Sequence, residues 1–309
     1  MRICSLVPGA TEILYLLGLG DQLVGVSDDC DYPPQVRQKP IISKSSLYGK
    51  NYSARQIHGF VQSHKHSGLS IYDVDMGQLK EMEPDLIFTQ RLCEVCAVPY
   101  SQVLSAAKVL DYGPKVVSLQ PRTIEDVLDN ILLIGRLTRS ERRAQHLVYE
   151  LKKRVDYIRS KVGESNVRPR VLNLEWTDPP MAGGLWIPEI IDIAGGRDGI
   201  AKTGGWAVKL DWETIASYQP EVVVVTPCGR SLEESLAEAR ALQKIPQWEN
   251  LPATRNGRVY AANSKWYFSR SGPRLVVGLE IMAEILHPEL FSNLAPPDTY
   301  AQLNSGFVA

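Results

Sequence analysis

Short runs of buried-type residues alternate with stretches of helical period along this chain. Residues 4–7 form the first run, closed by Pro8-Gly9. Ile13, Leu14, Leu16 and Leu17 follow at helical spacing, with Thr11 placed to cap them and Gly18 and Gly20 to stop them. Residues 23–26 predict a second strand and residues 76–82 a short helix. Leu86-Ile87-Phe88-Thr89, behind the Pro84-Asp85 turn, predicts a buried strand. Residues 98–110 have helical composition, with Pro99 suited to a first turn. Residues 115–119 read as another strand. Between 44 and 70 the chain is polar and rich in Gly, Ser and His, which predicts loop with one short helix.

A long helical stretch comes next. Ile124, Val127, Leu128, Ile131 and Leu132 make one apolar face behind Thr123 and Asp126, which resemble a capping box. Thr138-Arg139-Ser140 interrupts it. Leu147, Leu151, Val155, Ile158 and Val162 then repeat at helical spacing. A helix over 141–162 would be about 33 Å long at 1.5 Å per residue. A second alternating series follows: strands at 170–174, 222–225 and 258–261, and helices at 187–194, 232–242 and 273–286, with another capped by Asp211.

The whole predicts an α/β fold of two mostly parallel α/β lobes joined by one long helix, with a ligand cleft between the lobes. The expected boundaries are an N-terminal lobe over 1–139, a linking helix over 140–163, a C-terminal lobe over 164–295 and a tail over 296–309.

In parallel sheets, ligands bind at the carboxyl ends of the strands. The loops expected there carry Pro8, Thr11, Cys30, Tyr32, Cys93 and Cys96 from the first half. The second half contributes Glu175, Trp176, Cys228, Trp266, Tyr267 and Phe268, with Trp186 nearby. Glu175 and Asp178 are expected as hydrogen-bonding side chains for a ligand, or as a proton-transfer pair. Four of the five cysteines fall on this edge, and the fifth, Cys4, sits inside a strand as an inert core residue.

Three readings fit those thiols. They are small half-buried residues with no shared role; or Cys30, Cys93, Cys96 and Cys228 hold zinc or an iron–sulfur cluster; or Cys93-Glu94-Val95-Cys96 is a redox pair. His64-Lys65-His66 reads as a solvated surface.

Bulk composition narrows the function classes. The 34 basic and 35 acidic residues leave a net charge of −1, so no field draws the chain to nucleic acid. No apolar run reaches the roughly 18 residues a membrane span requires, so the chain is not membrane-embedded. The opening Met1-Arg2-Ile3-Cys4 enters a strand directly. The expected location is therefore cytoplasmic as encoded, or periplasmic or cell-surface if a signal was trimmed. There is no Gly-Lys-Ser phosphate loop, no His-Glu-x-x-His and no nucleophile-elbow serine.

Several motifs carry a family resemblance. Ser5-Leu6-Val7-Pro8-Gly9-Ala10-Thr11-Glu12, Gly25-Val26-Ser27, Asp31-Tyr32-Pro33-Pro34 and Glu83-Pro84-Asp85-Leu86-Ile87 mark the first half. Gly195-Gly196, Pro220-Glu221-Val222-Val223-Val224, Trp266-Tyr267-Phe268 and Ser271-Gly272-Pro273-Arg274 mark the second. Together they resemble the substrate-binding proteins of ABC importers for vitamin B12, haem and ferric siderophores, nearest to a signal-less, cobalamin-binding-like branch. The resemblance implies a non-enzymatic protein that holds cobalamin or a related corrinoid, a small-molecule metal chelate, in an interlobe cleft, with an ABC permease as partner. It implies that Tyr32 and the segment 266–268 line the corrinoid site, with residues 8–11 as its floor. Cys93-Glu94-Val95-Cys96 stands where the importers carry a docking acid. The alternative is a metal- or iron–sulfur-containing cytosolic enzyme or redox protein on the same fold.

Overall fold

The computed structural model describes residues 1–47, 49–50, 52–67, 70–91, 100–108, 110 and 112–303, with residue 65 described by its backbone alone. The chain divides into two compact units. The first comprises Met1–Pro121, Glu125–Tyr149 and Ser271–Pro273; the second comprises Arg122–Ile124, Glu150–Arg270 and the chain from Arg274.

In the first unit the elements run β1 (Ile3–Ser5), α1 (Pro8–Leu16), β2 (Leu23–Ser27), β3 (Ile41–Ser45), α2 (Ala54–Ser67), β4 (Tyr72–Val74), α3 (Met76–Met82), β5 (Leu86–Gln90), α4 (Tyr100–Lys108) and β6 (Lys115–Leu119). Two further helices follow, α5 (Ile124–Leu137) and α6 (Glu141–Val162), and the division between units falls within α6. The sheet has the order β4-β3-β2-β1-β5-β6 among the described residues, parallel except for the β3–β4 edge pair. Cys4, Leu6, Ile42, Tyr72, Leu79, Ile87 and Val103 form a core on it. Burial pushes the Cys4 thiol up to about 12, so it is inert.

The stretch 44–70, expected to be loop with one short helix, holds the end of β3 and the fourteen-residue α2, and β4 follows it. β4 is a short edge strand and β3 a short strand next to it, so their partners rather than their own pattern fix them. His64 and His66 lie on α2, two residues apart, where neighbouring side chains do not face each other. The His64 ring packs on Phe60 at 4.1 Å, and its Nδ1 is 3.0 Å from the Phe60 carbonyl oxygen.

The second unit adds β7 (Val171–Thr177), β8 (Pro180–Ala182), α7 (Ile187–Ile193), β9 (Val208–Lys209), α8 (Trp212–Tyr218), β10 (Val222–Val225), α9 (Leu232–Leu242), α10 (Pro252–Arg255), β11 (Val259–Ala262), α11 (Ser264–Tyr267), α12 (Leu275–Leu286) and β12 (Tyr300–Gln302). Its sheet order is β12-β11-β10-β7-β8-β9. The centre is parallel; β8, β9 and β12 pair antiparallel at the two sides. β10 is four consecutive valines, all fully buried, as expected for a central strand covered on both faces. Each contributes about 1.5 kcal/mol or more by burial.

The segment expected as a tail contains β12. Glu284 of α12 fixes that return, accepting from the Leu294 and Ala295 N–H groups and from the Tyr300 hydroxyl. Arg154 of α6 grips Glu280 of α12 with two bonds of 2.6 and 2.7 Å. That bidentate pair joins the second half of the long helix to the unit's most apolar helix.

Candidate functional site

At the carboxyl edge of the first sheet, the β1–α1 turn is almost wholly buried. Pro8 occupies the first turn of α1, where its missing N–H costs nothing. Thr11, expected as the cap, is instead one turn inside the helix, because the helix begins at Pro8. Its hydroxyl lies 2.8 Å from Ser5 Oγ and 3.0 Å from Cys30 Sγ. Ser27 Oγ is 3.3 Å from the same sulfur, and the Cys30 thiol reaches the Ser5 carbonyl at 3.7 Å. Three hydroxyls and a thiol thus tie together the ends of β1, α1 and β2.

The turn is tight because Gly9 is a glycine. A Cβ there would stand 2.2 Å from the Ser271 carbonyl oxygen, a contact no side chain tolerates. Just beyond, Asp28 accepts from the Ser45 N–H at 2.7 Å, and Asp29 accepts from the Tyr72 hydroxyl at 3.2 Å. Burial, with the neighbouring Asp29 charge, pushes the Asp28 carboxyl up to about 6. Tyr32 stands at the rim, 37 % exposed.

At the carboxyl edge of the second sheet the arrangement is more open. β7 and β8 slip register between Leu174 and Trp176, so Glu175 occupies a β-bulge. Its Oε2 accepts from the Gly184 N–H at 3.0 Å, and burial pushes its carboxyl above the usual carboxylate range. The Cys228 N–H donates to the Glu175 carbonyl at 3.0 Å, which sets the β10 loop beside the bulge. Trp176 is half-buried, with its indole N–H on the Asp178 carbonyl.

Around β11, the Asn263 side chain caps α11 by accepting from the Trp266 N–H. Ser264 Oγ donates to the Thr226 carbonyl and lies 2.7 Å from Ser269 Oγ. Gly229 N–H donates to Ser269 Oγ at 3.0 Å, which closes the β10 and β11 loops onto each other. Trp266 and Tyr267 form an edge-on pair, 6.3 Å between centroids at 89°. The Arg274 guanidinium lies 5.4 Å from the Trp266 ring and 5.8 Å from the Tyr267 ring.

Each expected site residue can now be placed. Pro8, Thr11 and Cys30 meet in the buried turn of the first unit, and Tyr32 is at its rim. Glu175, Trp176 and Cys228 are neighbours in the second unit. Trp266 and Tyr267 keep half-buried rings there. Trp186 and Phe268 turn inward: both are buried, and the Trp186 indole N–H donates to the Phe268 carbonyl at 2.8 Å. They brace the α11 turn.

Cys93 and Cys96 lie outside the described residues. Among the described residues, no three His, Cys, Asp or Glu side chains gather where they could share a metal ion. The Cys30 thiol is engaged by hydroxyls and a carbonyl. Two groups went unnoticed in the sequence: the Ser5–Ser27 hydroxyls around Cys30, and Trp206. Trp206 is 55 % exposed, with the Arg122 guanidinium 5.4 Å from its ring. The Gly204-Gly205 pair before Trp206 was the available signal.

The sequence profile described as periplasmic binding protein matches residues 3–265. The chain is 25 % identical over 297 residues to YvrC of Bacillus subtilis, described as an uncharacterized ABC transporter substrate-binding lipoprotein, covering 94 % of this chain and 81 % of that one. It is also 25 % identical over 275 residues to the vitamin B12-binding protein of Vibrio parahaemolyticus, covering 88 % and 84 %. Among solved structures, the periplasmic vitamin B12-binding protein BtuF of Vibrio cholerae matches with a TM-score of 0.67 at 24 % identity, over 93 % of this chain and 96 % of that one. The periplasmic haem-binding protein BhuT, solved with two haems, matches with a TM-score of 0.69 at 20 % identity, over 94 % and 99 %. These two structures share the fold. The chain belongs to the periplasmic binding protein family.

Proposed function

We propose that this member of the periplasmic binding protein family binds a corrinoid of the cobalamin type and delivers it to an ABC-type importer. The observation that carries the reading is the aromatic ledge at the end of β11. Trp266 and Tyr267 stay half-buried, their turn is fixed by Asn263, Ser264 and Ser269, and Trp186 holds it from below. A rigid ring surface of this kind suits a large, flat, mostly apolar chelate. Trp176 and Glu175 at the β7 bulge are the remaining proposed contacts. Pro8, Thr11 and Cys30 act through the backbone they hold.

The similarity to proteins named vitamin B12-binding, over most of the chain, supports the corrinoid over other chelates. Relatives named as an ABC transporter lipoprotein and as periplasmic support the importer partner. They also support a place outside the cytoplasm, in preference to the cytoplasmic reading. Among the described residues no helix is long and apolar enough to cross a membrane. The zinc, iron–sulfur and enzyme readings have no ligand set among the described residues to support them.

Equilibrium titration of the purified chain with cyanocobalamin, followed by tryptophan fluorescence, tests this. Saturable one-to-one binding with Kd of about 1 μM or tighter is expected. Absence of saturable binding to both cyanocobalamin and dicyanocobinamide would overturn the reading, and saturable binding of haem alone would replace the ligand.

A further inference from the structure

Glu175, at the β7 bulge, is an unusual residue to find in a site meant for a flat apolar ligand. The bulge between Leu174 and Trp176 adds a residue to β7 and turns its side chain out of the regular alternation. The residue that receives it is fixed just as firmly. Gly184 lies against the segment 205–207, where a Cβ would stand 2.3 Å from the Ala207 nitrogen and 2.4 Å from the Trp206 carbonyl carbon. Its N–H therefore has one direction, and Glu175 Oε2 accepts from it at 3.0 Å. The other oxygen, Oε1, has no hydrogen-bond partner among the described residues. No Lys or Arg there pairs with the carboxyl either, and burial favours its neutral form. A carboxylic acid whose carbonyl oxygen is taken by an N–H presents its hydroxyl at the other oxygen, as a single aimed donor.

We propose that Glu175 is a specificity-determining residue that donates its Oε1 hydrogen to a neutral carbonyl of the chelate, of the carboxamide class. This rests on the corrinoid reading and sharpens it. Corrinoids of the cobalamin type carry amide side chains around the ring, whereas haem carries propionates. A peripheral amide carbonyl accepts the Glu175 hydrogen without bringing charge to the buried carboxyl. A carboxylate at the same place would bring a negative charge into a site with no cation paired to Glu175, and two such groups compete for one proton. The bulge and Gly184 thus select among flat metal chelates by their edges.

Two variants and two ligands test it. Glu175→Gln keeps an oxygen for the Gly184 N–H and an N–H donor facing outward; Glu175→Ala keeps neither. With cyanocobalamin, Glu175→Gln should bind within about threefold of the unsubstituted protein, and Glu175→Ala should bind about five- to tenfold more weakly. Dicyanocobyrinic acid, in which the amides are carboxylates, should bind at least about tenfold more weakly than cyanocobalamin. Thermal unfolding of each variant establishes that it is folded.

If Glu175→Gln loses as much as Glu175→Ala, the carboxyl acts as an acceptor or an ion and the inference fails. It fails equally if neither variant changes the affinity or if the acid and the amide bind alike. Failure of the unsubstituted protein to bind any corrinoid instead removes the corrinoid reading, and this inference with it.

Discussion

The carboxyl edges of the two sheets are built from similar strand–turn–helix units, yet they finish differently. In the first unit, Ser5, Thr11, Ser27 and Cys30 engage one another, and the turn is sealed by a glycine lying against the backbone of Ser271. In the second, the strand ends keep half-buried rings at Trp176, Trp266 and Tyr267 and a carboxyl with one oxygen left over. Polar groups that satisfy each other make a rigid edge with little left to offer a ligand. Half-buried rings on turns that the backbone holds in place make a recognition surface. Having the right residue types at a strand end is therefore not enough to make a site; what matters is whether those side chains are already occupied.

The contrast can be broken most strongly at Gly9. Gly9→Val should cost about 3 kcal/mol, because the neighbouring carbonyl is main chain and cannot rotate away. Urea denaturation measures it, and a loss well below 1 kcal/mol would show that the turn is not sealed. Next is Trp266→Ala, which should weaken cyanocobalamin binding by about 2 kcal/mol, roughly thirtyfold, at a stability loss of about 1 kcal/mol. Unchanged affinity would remove the ring from the site.

Thr11→Val should show the reverse signature, losing about 1–2 kcal/mol of stability by removing the hydroxyl that bonds both Ser5 and Cys30. Ligand affinity should move little, and a large affinity loss with intact stability would reassign the cluster to binding.

The smallest effect concerns pH. The folded Asp28 carboxyl titrates at about 6, above its ordinary value of 3.8. The folded state therefore holds this proton more tightly than the unfolded chain does. Its contribution to stability is full below about pH 4 and is lost as pH rises from about 4 to about 6. Asp28→Asn should remove that fall, so the difference between the two proteins should change across this window. A flat difference would mean that Asp28 is solvated.

The fold was legible where local pattern and tertiary role coincide. Val222–Val225 could only be a covered strand, and the recurrence of Leu147, Leu151, Val155, Ile158 and Val162 sets the helix Glu141–Val162. Short strands at or next to the sheet edges escaped. Ile41–Ser45, Tyr72–Val74 and Tyr300–Gln302 have too few apolar positions to declare themselves, and they exist because a neighbouring strand offers its N–H and C=O groups. At the site, the sequence placed Cys30, Cys228, Glu175 and the aromatic residues on the strand ends, since turn residues mark those ends. It treated Trp186 and Phe268 as equals of Trp266 and Tyr267, because an aromatic residue beside a strand end looks the same whether it faces in or out.

The sequence alone thus determined the alternation of elements, the family motifs and the grouping of chemistry at the carboxyl edges. These follow from local spacing. The tertiary structure decided which of those groups remain available. It bound the Cys30 thiol to two hydroxyls and a carbonyl, turned Trp186 inward onto the Phe268 carbonyl, and raised Glu175 on a bulge toward Gly184. Those outcomes depend on contacts between elements, such as Cys30 with Thr11, 19 residues away, and Trp186 with Phe268, 82 residues away, or on a register slip between strands, and neither leaves a mark in the one-dimensional pattern.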